Sequence, residues 1–287
     1  MAEQAPEPGI YQDIPDSTYH AWQGAVSQST LKVVRRLTPL HANDLLLNPS
    51  DQTGAQSVGD VLHWALLEPH KIDERVVCGL GIDRRSNVNK AKHATFEAEN
   101  AGKMILKSGD YDAVFGAVEQ IKKHQLAMEL LEMDLTELSA VWVDEETGVK
   151  CKGRFDKLGR WRQWNVIADL KSTACDLSDS ELEREIGKWG YDVQDAFYLD
   201  GASTLAAADR RFFNIFVSKS APYDCRVIEL DPTALFEGRW KYRSALKTWA
   251  KCLETGIYPG FPQRVDSLGL KPWDCVAERE ADREETL

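Results

Sequence analysis

Apolar positions recur at three- and four-residue spacing through most of the first 130 residues, and at two-residue spacing or in unbroken runs only after them. The spacing predicts helices over Ser29–Leu37, behind a Ser/Thr cap signal, and over Val58–Leu67, which Pro69 stops. Longer helical patterns run through Lys90–Ala101 and Asp110–Glu132, and no strand is predicted before about residue 135. The period then changes. Glu137–Asp144 (ELSAVWVD), Val149–Lys157 and Trp164–Lys171 read as a three-strand meander joined by the turns EETG and LGRWRQ. A helix from about Glu181 to Ala208, strands Phe212–Ser218 and Arg226–Leu230, and a helix Pro232–Glu254 with Asp231 as its N-cap complete the pattern. This order predicts an α/β or α+β fold, a sheet with helical cover. One domain over 1–287 is expected, with a mainly helical part over about 1–130, a core over about 135–255 and a tail over 256–287.

Composition changes this picture little. The chain is 43% hydrophobic and 28% charged, with no apolar run near the roughly 18 residues that suggest a membrane span. Its start, MAEQAPEPGIYQD, has neither the basic nor the apolar region of a secretory signal, so a cytoplasmic protein is expected, with no membrane partner. The six cysteines stand singly, without a C-x-x-C, which argues against a zinc ribbon, a disulfide framework and an iron–sulfur cluster. A net charge of −11 excludes a surface coated for nucleic acid, so any polyanion site must be local. Basic clusters stand at Lys32–Arg36, Arg84–Lys92 and Arg154–Arg162.

The candidate chemistry lies in the meander. Asp169 and Lys171 project from one face of their strand, about 6.5–7 Å apart at the backbone. The run Val166-Ile167-Ala168 before them reads as a strand buried on both faces, where an unpaired charge costs several kcal/mol. A buried Asp–Lys ion pair would satisfy both. Asp156 in the preceding strand adds a second carboxylate if the hairpin closes around Gly159 to Arg162. Two adjacent carboxylates repel unless a divalent cation lies between them, and oxygen ligands suit Mg²⁺ or Mn²⁺. Lys171 could then orient or deprotonate water, or steady developing negative charge.

Asp156 followed by Asp169-Leu170-Lys171 resembles the PD-(D/E)xK nuclease core, a restriction-endonuclease-like central mixed sheet flanked by helices. GDVLH (Gly59, His63) and QDAFY (Gln194, Tyr198) resemble the G-x-x-x-H and Q-x-x-x-Y motifs of its RecB-type branch. Further stretches, GIYQDIPDSTYHA, VSQSTL, GDVLHWALLEP, ETGVKCKGRFDKL, IADLKST and YDVQDAFYLDG, make the chain from about residue 9 to 255 similar to RecE-type exodeoxyribonucleases (exonuclease VIII-like) of prophages.

This resemblance implies that His63, Asp156, Asp169 and the Leu170 carbonyl hold Mg²⁺, for which Mn²⁺ can substitute. Lys171 would act on the attacking water, and Glu137 would assist metal or water. Gln194 and Tyr198 would position the scissile strand or support the site. It further implies 5′-to-3′ digestion of linear duplex DNA, leaving 5′-phosphate products and 3′ overhangs for a RecT-like single-strand annealing protein, by a homo-oligomeric ring of three or four subunits. Ser27 and Ser29 would either cap a helix or hold a terminal phosphate. Arg84 and Arg85 are candidates for backbone contacts, and Lys152 and Arg154 for flanking the scissile phosphate. The alternatives are an endonuclease or repair nuclease with the same site, and a non-catalytic DNA-binding or scaffold protein.

Overall fold

The computed structural model describes residues 3–48 and 54–269; the remainder of the tail expected over 256–287 lies outside the described residues. Strands β1 (Glu3–Gln4), β2 (Gly9–Tyr11), β3 (Trp22–Gln23) and β4 (Val26–Ser27) are interleaved with helices α1 (Asp16–Ala21) and α2 (Gln28–Arg36). Helices α3 (Pro39–Leu47), α4 (Gly54–Leu67) and α5 (Ile72–Arg75) follow, then β5 (Val76–Cys78), α6 (Asn87–Glu99), β6 (Met104–Leu106), α7 (Ser108–Ile121) and α8 (Gln125–Leu131). The second half runs β7 (Leu135–Val143), β8 (Lys150–Trp161), β9 (Trp164–Thr173), α9 (Asp179–Trp189), α10 (Tyr191–Leu205), β10 (Arg210–Ser218), β11 (Cys225–Ile228) and α11 (Pro232–Thr255).

The main sheet has the order β11-β10-β9-β8-β7-β2, with β4 added to β8. It is mixed: β9 and β10 run parallel, joined through α9 and α10, while β7, β8 and β9 form the antiparallel meander. As the apolar run predicts, β9 is buried on both faces. Ile167 lies in the core beneath α2, α10 and α11, whereas Val166, Ala168 and Leu170 pack under α4, α7 and α8. Among the described residues no helix is long and apolar enough to cross a membrane.

The differences from the sequence expectation have local causes. Strands do occur before residue 135: Ile10 pairs with Ala140 and Val26 with Cys151. At two or three residues each, these segments are too short to show an alternation, and they exist because the long strands offer them an edge. The hairpin turn is Arg162–Gln163, closed by Trp161 opposite Trp164, rather than the longer turn expected around Gly159, and Arg162 adopts φ +54° to make it. The pattern over 110–132 breaks after Ile121, where His124 Nδ1 caps α8 by accepting from Ala127 N at 3.1 Å. The pattern over 181–208 breaks at Gly190, whose φ of +65° ends α9 and re-aims the chain into α10.

Helix α10 is buried along nearly its whole length, from Asp192 through Leu199, because it lies between the sheet and α11. The approach of α11 is closest at Gly238, where an added Cβ would fall 2.0 Å from the Asp192 carbonyl oxygen. In an unencumbered helix Gly→Ala gains about 1 kcal/mol. Here overlap with backbone outweighs that gain, so Gly238→Ala should lose on the order of 1–3 kcal/mol in urea unfolding; equal or greater stability would show that the two helices are not in this contact.

Candidate active site

The meander parts in the middle. The β8–β9 ladder ends at Lys157 opposite Ala168, and further back along β8 the same edge is taken by β4, with Ser27 opposite Lys152. Asp156 stands at the fork. Its Oδ2 accepts from Leu170 N at 2.8 Å, so a carboxylate occupies the place of a ladder carbonyl. His63 on α4 brings Nδ1 to 3.6 Å from the same oxygen.

Glu137 joins them from β7. It lies between the register pairs Thr136–Lys157 and Leu138–Phe155, opposite Asp156. Strict alternation would send Leu135 and Leu138 to opposite faces, yet both pack on the core beneath α10, as do Phe155 and Leu158 of β8. Both strands therefore slip phase at this level, and Glu137 absorbs the slip with φ +52°, a left-handed conformation uncommon outside glycine and frequent at functional sites. One ligand atom from each of His63, Glu137 and Asp156 lies within 4.8 Å of the others.

Asp169 and Lys171 face α10. Lys171 forms an ion pair with Asp169 and donates to Gln194 Oε1 at 2.8 Å, while Gln194 Nε2 donates to Asp169 Oδ1 at 2.6 Å. The three side chains close a triangle. The ring of Tyr191 lies 4.6 Å from the Lys171 ammonium and 5.9 Å from that of Lys32. Burial works against the charge of Lys171, but Asp169, Tyr191 and Asp156 outweigh it and hold its pKa above the ordinary lysine value. In this arrangement Lys171 is a hydrogen-bond donor and a positive charge.

The carboxylates show the opposite strain. Burial, then the charge of Asp156, pushes Glu137 up to about 8 despite Arg154. Burial and Asp169 push Asp156 up to about 6, against the opposing pull of His63, Lys171 and the Leu170 N–H. Carboxylates that resist ionising although they face one another beside an imidazole are the donor set a divalent cation relieves. His63, Asp156 and Glu137 fit such an ion directly, whereas Asp169, expected from the sequence as a further ligand, is not in that group and is engaged by Lys171 and Gln194.

The other sequence candidates have different placements. Tyr198 is buried edge-on against Phe155, and its hydroxyl accepts from Arg154 N at 3.4 Å, so it props β8 just ahead of Asp156. Leu170 contributes its N–H to Asp156. Lys152 is buried, with Nζ donating to the carbonyls of Tyr19 and Trp22 at 2.9 Å each, rather than being open beside a substrate. Arg154 is paired with Asp16, lies 4.0 Å from Glu137, and donates to Ser139 and to the Ile14 carbonyl. Both cations fasten the N-terminal segment over the site. Ser27 caps α2, its Oγ accepting from Thr30 N at 3.4 Å, whereas Ser29 is exposed in the first turn. Arg84 and Arg85 lie exposed ahead of α6, Arg84 paired with Glu97. Tyr191 and Asp16 were not singled out from the sequence, and Lys32 was marked only as the head of the basic cluster Lys32–Arg36. Tyr191 and Asp16 fall inside stretches that carry the resemblance, the one signal that could have found them.

Residues 27–268 match the family described as PDDEXK-like domain of unknown function (DUF3799). The chain belongs to this PDDEXK-like family. Its matched region takes in the β4–α2 junction, the meander and α10, and so all four motif elements around the fork. A Eubacterium rectale protein whose crystal structure bears the name "Putative exonuclease" superposes with a TM-score of 0.60 over 93% of this chain and 99% of that one, at 15% identity, a likeness of fold. The structure of SSO0001, at 14% identity over 69% of this chain and 86% of that one, has a TM-score of 0.29 and carries no argument. No curated protein matches the chain.

The raised carboxylates give a sign to test. Their folded pKa values exceed the unfolded ones of about 4. The stability they contribute is therefore full below about pH 4 and lost as pH rises through about 6 for Asp156 and about 8 for Glu137. Mg²⁺ or Mn²⁺ should raise the Tm more at about pH 8 than at about pH 5, and Asp156→Asn should remove most of that gain. A cation effect equal at both pH values, or intact in Asp156→Asn, would place the ion elsewhere.

Proposed function

We propose that the protein is a metal-dependent deoxyribonuclease that digests linear duplex DNA from the 5′ end. The observation that carries the nuclease reading is the fork itself: His63, Glu137 and Asp156 on one side, and the Asp169–Lys171–Gln194 triangle on the other, meet at one break in the sheet. The exonucleolytic and 5′-to-3′ parts rest on the resemblance to RecE-type enzymes, with the name of the Eubacterium rectale protein in support. On the same ground we propose 5′-phosphate products, 3′ overhangs passed to a RecT-like annealing protein, and a homo-oligomeric ring of three or four subunits.

His63, Asp156 and Asp169 would hold Mg²⁺ with Glu137 beside them, and the ion, when bound, would acidify water and neutralise charge on the scissile phosphate. Lys171, held protonated, places a donor and a positive charge where negative charge develops on the phosphoryl oxygens. Gln194 fixes that ammonium and the Asp169 carboxylate in one orientation, so no reorganisation is needed as charge accumulates. Tyr191 covers the ammonium and limits its hydration. The Arg154–Asp16 pair closes the N-terminal side of the site and places a cation against Glu137.

With 5′-phosphorylated linear duplex and Mg²⁺, the purified protein should release label from the 5′ end and leave closed circular duplex uncut. Lys171→Ala should lower kcat by about 10²–10³-fold with KM little changed, the loss typical of an electrostatic donor to the transition state. Cleavage of closed circles would instead favour an endonuclease, and Lys171→Ala turning over like wild type would favour a non-catalytic DNA-binding protein.

A further inference from the structure

Behind the Asp169–Lys171–Gln194 triangle lies a second polar pair that the proposed chemistry does not use. Asp195, next to Gln194 on α10, and Asn214, beside Asp169 in the register of β9 and β10, are both fully buried. Asn214 Nδ2 donates to Asp195 Oδ2 at 2.6 Å. The remaining oxygen of each group, Asp195 Oδ1 and Asn214 Oδ1, is buried without a hydrogen-bond partner. We propose that Asp195 is a neutral carboxylic acid in the folded protein, joined to Asn214 as a cyclic acid–amide pair that holds Gln194 against Lys171 and Asp169.

A buried acceptor without a donor costs about 1–3 kcal/mol, and an ionised Asp195 would leave two such acceptors on adjoining groups. One proton on Asp195 Oδ1 removes both: the acid O–H donates to Asn214 Oδ1 while Asn214 Nδ2 donates to Asp195 Oδ2. The charged groups facing Asp195 are Lys171 and Asp169 on β9, Lys32 on α2 and Asp192 on its own helix. Burial dominates among these influences and holds the Asp195 carboxyl well above the usual carboxylate range. The neutral form has a consequence for the site. An ionised Asp195 would compete with Asp169 for Lys171, whereas the acid leaves that ammonium to Asp169 and Gln194. The pair also ties α10 to β10 one residue from Gln194, so Asp195 and Asn214 are positioning residues.

Asp195→Asn preserves the arrangement as an amide–amide pair, and Asp195→Ala breaks it. In the full chain at neutral pH, the infrared difference spectrum of wild type minus Asp195→Asn should show the C=O band of a protonated carboxyl, the Glu137 band common to both proteins cancelling. A carboxyl with a raised folded pKa contributes stability below its unfolded pKa of about 4 and loses it as pH rises. Asp195→Asn and wild type should therefore have similar Tm at about pH 4, with the variant the more stable at about pH 8. These two readouts need no turnover, so they stand or fall apart from the nuclease reading, on which the positioning role rests. On linear DNA, Asp195→Asn should keep kcat within about threefold while Asp195→Ala loses about 10–100-fold, as expected for a group that orients others. Absence of the carboxyl band, or a Tm difference that does not change with pH, would overturn the neutral acid. Equal loss of kcat in the Asn and Ala variants would overturn the positioning role.

Discussion

The mutual repulsion of buried carboxylates at the β8–β9 fork is the constraint on which the rest of the site depends. Half-buried Glu137 and buried Asp156 and Asp169 come from three adjacent strands, where removal from water makes charge expensive before neighbours add to the cost. The fold answers this locally in three ways. Asp169 takes Lys171 and Gln194, Asp156 takes the Leu170 N–H and His63, and Glu137 has Arg154 at a distance. The first answer is strong, and the last leaves Glu137 pushed up to about 8, above Asp156 at about 6. Carboxylates held this far above their ordinary range are ones that a bound cation would let ionise.

Much of the surrounding structure reads as support for that crowding. The fork opens because β4 takes the edge of β8 that β9 leaves. The N-terminal segment is fastened by Lys152 to the carbonyls of Tyr19 and Trp22 and by Arg154 to Asp16 and Ile14, so two basic residues of β8 are spent on architecture. On the other face α10 is wedged between sheet and α11, and its burial leaves Gln194 little freedom. Rigidity of this kind suits electrostatic stabilisation, which works best when donors are oriented before charge develops.

The meander, the doubly buried β9 and the four motif elements were legible in the sequence because each is local: a period, an apolar run, a spacing of four on a helix. Asp156, Asp169, Lys171, His63 and Gln194 are found together where those patterns imply. What stayed hidden depends on contacts distant along the chain. Nothing in GIY or VS marks a strand until β7 and β8 offer an edge, and nothing in the basic run around Arg154 shows that its charges are already taken. The phase slip at Glu137 was equally silent, since a left-handed glutamate leaves no compositional trace. Gly190 is the exception, a helix break announced by its residue type and masked by the apolar pattern continuing on either side.

Anomalous scattering from crystals grown with Mn²⁺ tests the central claim most directly. The account places an ion within about 2.0–2.3 Å of an Asp156 oxygen and of a His63 nitrogen, with a Glu137 or Asp169 oxygen completing the protein ligands. An ordered fork with no anomalous peak at saturating Mn²⁺, or a peak bound away from Asp156, would contradict it.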